Sequence, residues 1–347
     1  MDTQTQKRLL LPILGAAVGL GLAGAGGAIA SAPAPMVLDA APVWSPAGQT
    51  LAFASRVGST SQINIVSATG GKALVLARGS LQNVDVNWSP TGNQIAFSRV
   101  TGGAVISGGS VYVANSTGGG LRRLTTGGPG YDEVFNWSPD GKTPAFDRIT
   151  NGLGAIYTTS ADGTDLRRLT PAASYYDYWA VWSPDGKKIA FDRTSASGFG
   201  DIWVMNADGT DQKRLTESPA DDFGAAWTPD GSKLAFMSNR TGKYQIYEMS
   251  SGGGRQLQLT DAGEAGAPRW SPDGTEIAYQ AQVGGDNQIF VMSASGAGPR
   301  QLTHTSYDNT DPAWSADGKK LAFLSARDGS SEVWGMNADG TGQHRVS

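Results

Sequence analysis

A tryptophan followed by Ser or Thr recurs at Trp44, Trp88, Trp137, Trp182, Trp227, Trp270 and Trp314. The spacings are 44, 49, 45, 45, 43 and 44 residues, which marks a repeated unit running along nearly the whole chain. After each Trp the chain reads SPAG, SPTG, SPDG, SPDG, TPDG, SPDG and SADG. An apolar trio follows (LAF, IAF, PAF, IAF, LAF, IAY and LAF), then a segment such as INIVS, VYVAN or IWVMN. A second glycine turn and a short run such as RRLT or RQLT close the unit. A chain built this way must fold by stacking copies of one small module, because a single copy cannot bury both of its faces.

The turn chemistry says what the module is. Ser-Pro-Asp-Gly suits a type I turn, with Pro presetting φ and Gly taking the left-handed position that closes a hairpin. Gly holds that position in all seven units, at Gly48, Gly92, Gly141, Gly186, Gly231, Gly274 and Gly318. The NADGT segments at Asn206 and Asn337 make the second hairpin in the same way. Such turns explain why 48 of 347 residues are glycine, about twice average usage. Each unit therefore reads as four short antiparallel strands, and a four-stranded repeat of this length is a β-propeller blade. The expected fold is all-β, a seven-bladed β-propeller with four-stranded antiparallel blades. The seven Trp and the Phe of the LAF trios are expected to pack between blades. Met36-Val37-Leu38 is left open as a strand of either the first blade or the last.

The N-terminus points to export. Lys7-Arg8 precedes an uncharged stretch from Leu9 to Leu38, and Ala28-Ile29-Ala30 fits the small-x-small pattern before signal cleavage. The expected organisation is an export signal at 1–30, a short linker at 31–38 and the propeller at 39–347. The alternative is an uncleaved membrane anchor, since the stretch exceeds the length needed to span. Either way the propeller is periplasmic or secreted, and the anchor is its one expected contact with membrane. A net charge of −4 excludes a broadly basic, nucleic-acid-binding surface. The absence of cysteine excludes disulfides and thiolate sites, and His304 and His344, the two histidines, exclude a histidine cluster. A monomer is expected.

The phrase WSPDGKKIAF…DIWVMNADGTDQKRLT at Trp182–Thr216 resembles the repeat of TolB-like periplasmic propellers, and every unit matches it. The resemblance implies a propeller that works through protein contacts in the cell envelope, where TolB serves the Tol–Pal machinery. Two features depart from TolB itself. The family propeller usually has six blades, and TolB carries an α/β domain ahead of it, for which the expected linker leaves no room. Related repeats accompany prolyl-oligopeptidase-type hydrolases, but this chain has no GxSxG.

Irregular segments such as TPAASYYDYWA and TESPADDFGAA lie opposite the SPDG hairpins, and variable loops on a rigid scaffold carry binding residues. Two series stand out there. One is an acid or amide five positions before the Trp: Asp39, Asn83, Asp132, Asp177, Asp222 and Asn309, broken by Ala265 beside Glu264. Oxygen ligands of this kind suit Ca²⁺ or a cationic peptide at the channel mouth. The competing role is a corner pair with Arg56, Arg99, Arg148, Arg193, Arg240 and Arg327, since the sixth unit lacks both partners. The other series is aromatic: Tyr131, Tyr175, Tyr176, Tyr178, Trp179, Phe223 and Tyr307, expected in inter-blade loops. These residues, with Asp132, Asp177 and Asp222, form the expected binding surface. The expected function is an exported, non-enzymatic scaffold that binds an envelope or extracellular protein, peptide or ligand. No cofactor is expected beyond calcium at the channel mouth. The alternative is a carbohydrate-active enzyme using channel-mouth carboxylates.

Overall fold

A computed structural model describes residues 37–102, 106–126, 130–171, 175–194 and 198–347. The expected export segment, 1–30, lies outside the described residues. Seven antiparallel sheets follow one another along the chain, each built from consecutive segments. In the fourth, Tyr176–Trp182 pairs with Lys188–Thr194, which pairs with Gly200–Asn206, which pairs with Lys213–Arg214. The other sheets repeat this order. Only the first differs: its inner edge is split into Val37–Asp39 and Val43–Trp44, both paired with Thr50–Val57. The segment that begins at Val37 thus belongs to the first blade, in the register Val37↔Val57 and Leu38↔Arg56.

Both glycine turns form as their chemistry demands. In each first hairpin the glycine N–H bonds back to the Ser or Thr carbonyl three residues earlier, as in Gly186 to Ser183 at 2.9 Å. The seven glycines have φ between 68° and 74°, a conformation open to Gly and costly for most side chains. The outer strands of the second to seventh blades are each tied in by a hydroxyl. Thr125, Thr170, Thr216, Thr260, Thr303 and Ser347 accept from the N–H of Val111, Ile156, Ile202, Ile246, Ile289 and Val333 at 2.9–3.0 Å. The recurrent Thr of the RRLT-type runs was the signal for this bond.

The core sits between blades. One cluster joins Ala190, Ile202, Val204 and Leu215 of the fourth blade to Leu234, Phe236, Tyr247 and Met249 of the fifth. Six of the seven Trp indoles donate to the carbonyl just before the Trp of the preceding blade: Trp88 to Val43, Trp137 to Asn87, Trp227 to Val181, Trp270 to Ala226, Trp314 to Arg269 and Trp44 to Ala313. The Trp182 indole has no acceptor among the described residues. The bond from Trp44 to Ala313 closes the ring. Among the described residues no strand is shared between the first and last blades. Their seam is held by a backbone bond from Asp39 N–H to the Ser331 carbonyl at 2.9 Å and by side chains, with Trp44, Phe53 and Val66 packed on Leu324, Val333 and Val346.

Candidate binding site at the channel mouth

The inner strands of neighbouring blades touch and so line the central channel. Five of the seven, in the second and the fourth to seventh blades, carry a bulge three residues before the Trp. Asp85, Trp179, Ala267 and Asp311 there adopt φ of 51–55°, and Gly224 adopts 72°. The bulge frees a backbone N–H, and the preceding blade supplies its acceptor from the position after the LAF-type trio. Asp147 Oδ2 accepts from Trp179 N at 2.9 Å and Asp192 Oδ2 from Gly224 N at 2.8 Å. Gln280 Oε1 accepts from Asp311 N at 3.0 Å. Sequence reasoning missed this inter-blade clasp; its signal was a polar residue directly after an apolar trio.

The acid series five positions before the Trp is buried rather than open to the channel. Asp132 pairs with Arg148 at 2.7 Å, Asp177 with Arg193 at 2.6 Å and Asp222 with Arg240 at 2.9 Å. Asn83 accepts from Arg99, and Asn309 from Arg327. Each guanidinium also lies over an aromatic ring of its own blade, such as Arg193 over Trp203 at 4.5 Å and Arg327 over Trp334 at 3.9 Å. The corner pair is therefore the role this series plays, and it corrects the expectation that Asp132, Asp177 and Asp222 offer free ligands at the mouth. Asp39 is the exception. Arg follows the trio's Phe by two or four residues in the paired blades, but Arg56 follows Phe53 by three. Strand side chains alternate faces, so an odd offset turns Arg56 outward, where it bonds Gly58. Asp39 is left with Oδ1 unpaired, and burial raises its pKa to about 6.

The aromatic series is also relocated. Only Tyr175 and Tyr307 lie in loops, 40% and 48% exposed. Tyr131, Tyr176, Tyr178, Trp179 and Phe223 sit on the inner strands Tyr131–Trp137, Tyr176–Trp182 and Asp222–Trp227. These strands reach further toward the variable face than the Trp spacing alone implied. Tyr175 lies beside the Arg193 guanidinium, 5.0 Å from ring centre to Cζ. Tyr176, Tyr178, Trp179, Phe223 and Tyr244 form one continuous wall, with successive ring centroids 5.2–5.7 Å apart. Tyr178 is buried within it, while Tyr176, Trp179 and Phe223 remain partly open.

Beside this wall stands a second set of acids, which sequence reasoning did not single out. Glu133, Asp147 and Asp192 are buried, and Asp85 is half-buried at its bulge. Among the described residues none of the four forms an ion pair with Lys or Arg, and Asp147 Oδ1 and Asp192 Oδ1 have no hydrogen-bond partner. Burial raises the pKa of all four, and repulsion from Asp85 adds to the rise at Glu133. Opposite, on the sixth and seventh blades, Arg269 faces Asp311. Arg269 is solvent-exposed.

Comparison with known proteins matches residues 41–200, 178–265 and 253–347 to the TolB beta propeller domain. The chain belongs to this family. Among solved structures it is similar to a putative TolB from Agrobacterium tumefaciens, 24% identical, with 77% of this chain and 94% of that one covered at a TM-score of 0.55. It is similar to an oligogalacturonate lyase in complex with manganese at 14% identity, covering 87% and 90% with a TM-score of 0.69. It is also similar to the propeller domain of the Trilobed protease from Pyrococcus furiosus, described as having an open velcro topology, at 10% identity, 90% and 96% coverage and a TM-score of 0.68. At these identities the structures show the TolB-type fold alone. His344 spends its ring nitrogens on the carbonyls of Gly342 and Ala68 at the seam. Among the described residues no group of three or more His, Asp or Glu is arranged to hold a metal ion.

Proposed function

We propose that the protein is an exported, non-enzymatic scaffold of the cell envelope that binds a protein or peptide at the variable-loop end of its channel. The observation that carries this reading is the aromatic wall of Tyr176, Tyr178, Trp179, Phe223 and Tyr244. Aromatic residues that stay partly open on a rigid frame are the anchors of protein interfaces. Leu81, Leu153, Tyr175, Val283 and Tyr307, all exposed, rim the same end of the propeller. Periplasmic location agrees with the family and with the export features of residues 1–30. Two experiments test the reading. A reporter active only outside the cytoplasm, fused after residue 36, should be active. Cross-linking in envelope extract should recover a partner with the wild type and lose it with Tyr176→Ala/Trp179→Ala; equal recovery from both would refute this surface.

The second reading, a carbohydrate-active enzyme, draws its support from Asp85 and Glu133. Two carboxyl groups with raised pKa beside a channel are what acid–base chemistry on a glycoside needs. Its test is release of reducing sugar from acidic and neutral polysaccharides, with Glu133→Gln as the control. Activity that survives in Glu133→Gln would dismiss this pair as its source.

A further inference from the structure

The channel mouth has an acidic side and an aromatic side, and together they fit one kind of ligand. On the second, third and fourth blades stand Asp85, Glu133, Asp147 and Asp192, none of them paired with a cation among the described residues. The corner acids provide the contrast. Asp132, Asp177 and Asp222 each have an arginine of their own blade. At those three corners the fold supplies a guanidinium to a buried carboxylate; at these four positions, as at Asp39, no cation is paired. Buried carboxylates that repel one another either take up a proton or gain stability from a positive charge that joins them.

One observation beside the acidic cluster points to a ligand. Asp147 and Asp192 are fully buried, each with one oxygen bound to the bulge N–H of the next blade and the other without a partner. Asp147 lies within electrostatic reach of both Glu133 and Tyr176, which places its carboxylate where the acids meet the aromatic wall. Trp179 supplies the aromatic face beside it. Its φ of 54° is a conformation that costs a bulky side chain energy, yet it presents its indole against Phe223 at the edge of the channel. An aromatic face next to unpaired carboxylates recognises an organic cation with an apolar stem, the stem and charge lying on the rings while the carboxylates accept its hydrogen bonds.

We propose that the channel mouth between the second and fifth blades binds an alkylammonium or guanidinium group, held by Asp85 and Glu133 with its stem against Tyr176, Trp179 and Phe223. The inference rests on the scaffold reading and names the chemistry of its ligand. The cation can come from a free amine or from a Lys or Arg side chain of a partner protein, and the two sources are separable by experiment.

The test is titration calorimetry and thermal unfolding of the full chain. The probes are cadaverine, N-acetyl-lysine amide, N-acetyl-arginine amide, an Ala-Lys-Ala-Arg-Ala peptide and the uncharged N-acetyl-norleucine amide. At least one cationic probe should bind and raise the unfolding midpoint, with norleucine amide at least tenfold weaker. Asp85→Asn/Glu133→Gln should weaken that probe at least tenfold, and because it removes repulsion its ligand-free midpoint should equal or exceed that of the wild type. A purely structural role for the acids would lower that midpoint instead. Peptide binding tenfold stronger than cadaverine binding assigns the cation to a protein partner; the reverse assigns it to a free amine. The proposal is overturned if no cationic probe binds at millimolar concentration, if norleucine amide binds equally, or if Ca²⁺ alone raises the midpoint. It is separable from the scaffold reading. A cationic probe that binds while Tyr176→Ala/Trp179→Ala still captures the partner refutes the surface and leaves the cation site standing.

Discussion

The indole of Trp44 donates a 2.9 Å hydrogen bond to the carbonyl of Ala313, 269 residues along the chain. This bond stands where a shared strand would otherwise join the ends of the ring. Trp44→Phe should lower stability by about 1–3 kcal/mol, because it leaves a carbonyl unsatisfied at a buried seam. Trp182→Phe removes no such bond among the described residues. Urea unfolding of the two variants should therefore separate them, with Trp44→Phe the less stable. Equal losses would mean that the indole bonds add nothing to ring closure beyond packing.

Arg193 and Asp177 are both almost fully buried, 7% and 1% exposed at their side chains. Removing the cation strands a buried carboxylate, so Arg193→Ala should destabilise by about 3–5 kcal/mol. Asp177→Leu/Arg193→Met should cost clearly less than the sum of its single changes, since it removes both charges and keeps apolar volume. The readout is a double-mutant cycle from chemical denaturation. Simple additivity would show that the corner pairs are independent residues rather than a unit.

Asp39 lacks the arginine that its counterparts have, and this sets a pH dependence. Burial raises its pKa from 3.8 to about 6, opposed by hydrogen bonds from Ser347 and Val333. The folded protein therefore keeps a proton that the unfolded chain has released. Its favourable contribution is complete below pH 3.8 and is lost as the pH rises through about 6. At pH 7.5 Asp39→Asn should be more stable than the wild type by up to about 3 kcal/mol. The advantage should shrink as the pH falls toward 4, as read from unfolding midpoints across that range. An advantage that stays constant with pH would place the effect elsewhere.

The parts legible in the sequence are those in which one residue type meets one geometric demand. Gly186 and its six counterparts mark hairpins because φ near 70° excludes most side chains, and the Trp repeat counts the blades. The corner pair was legible too, because Asp177 and Arg193 recur together. Its failure at Asp39 was written in the odd offset from Phe53 to Arg56. The bulge was not legible. It is a φ > 0 position that only the fifth blade fills with Gly, at Gly224, while Asp85, Trp179, Ala267 and Asp311 adopt it under tertiary constraint. Missing the bulge hid the acids that clasp it, and left Tyr176 and Trp179 assigned to loops. Ring closure was hidden for a related reason, since the pairing of Val37–Asp39 depends on contacts from both ends of the chain.

Trp179 separates stability from function most sharply. A left-handed conformation costs an L-residue about 1–2 kcal/mol, and the fifth blade relieves that cost with Gly224 at φ 72°. Trp179→Gly gains backbone freedom of fit in the same clasp, while it loses the ring contacts to Tyr178 and Phe223 at 5.5 and 5.7 Å. The two effects are of similar size and opposite sign, so the unfolding free energy should change by less than about 2 kcal/mol. That is smaller than the roughly 3–5 kcal/mol expected for Trp→Ala at an inter-blade position such as Trp227. Partner capture, by contrast, should be lost in Trp179→Gly. A variant that unfolds as readily as Trp227→Ala would make Trp179 a packing residue, and would remove the argument that its strain is retained for binding.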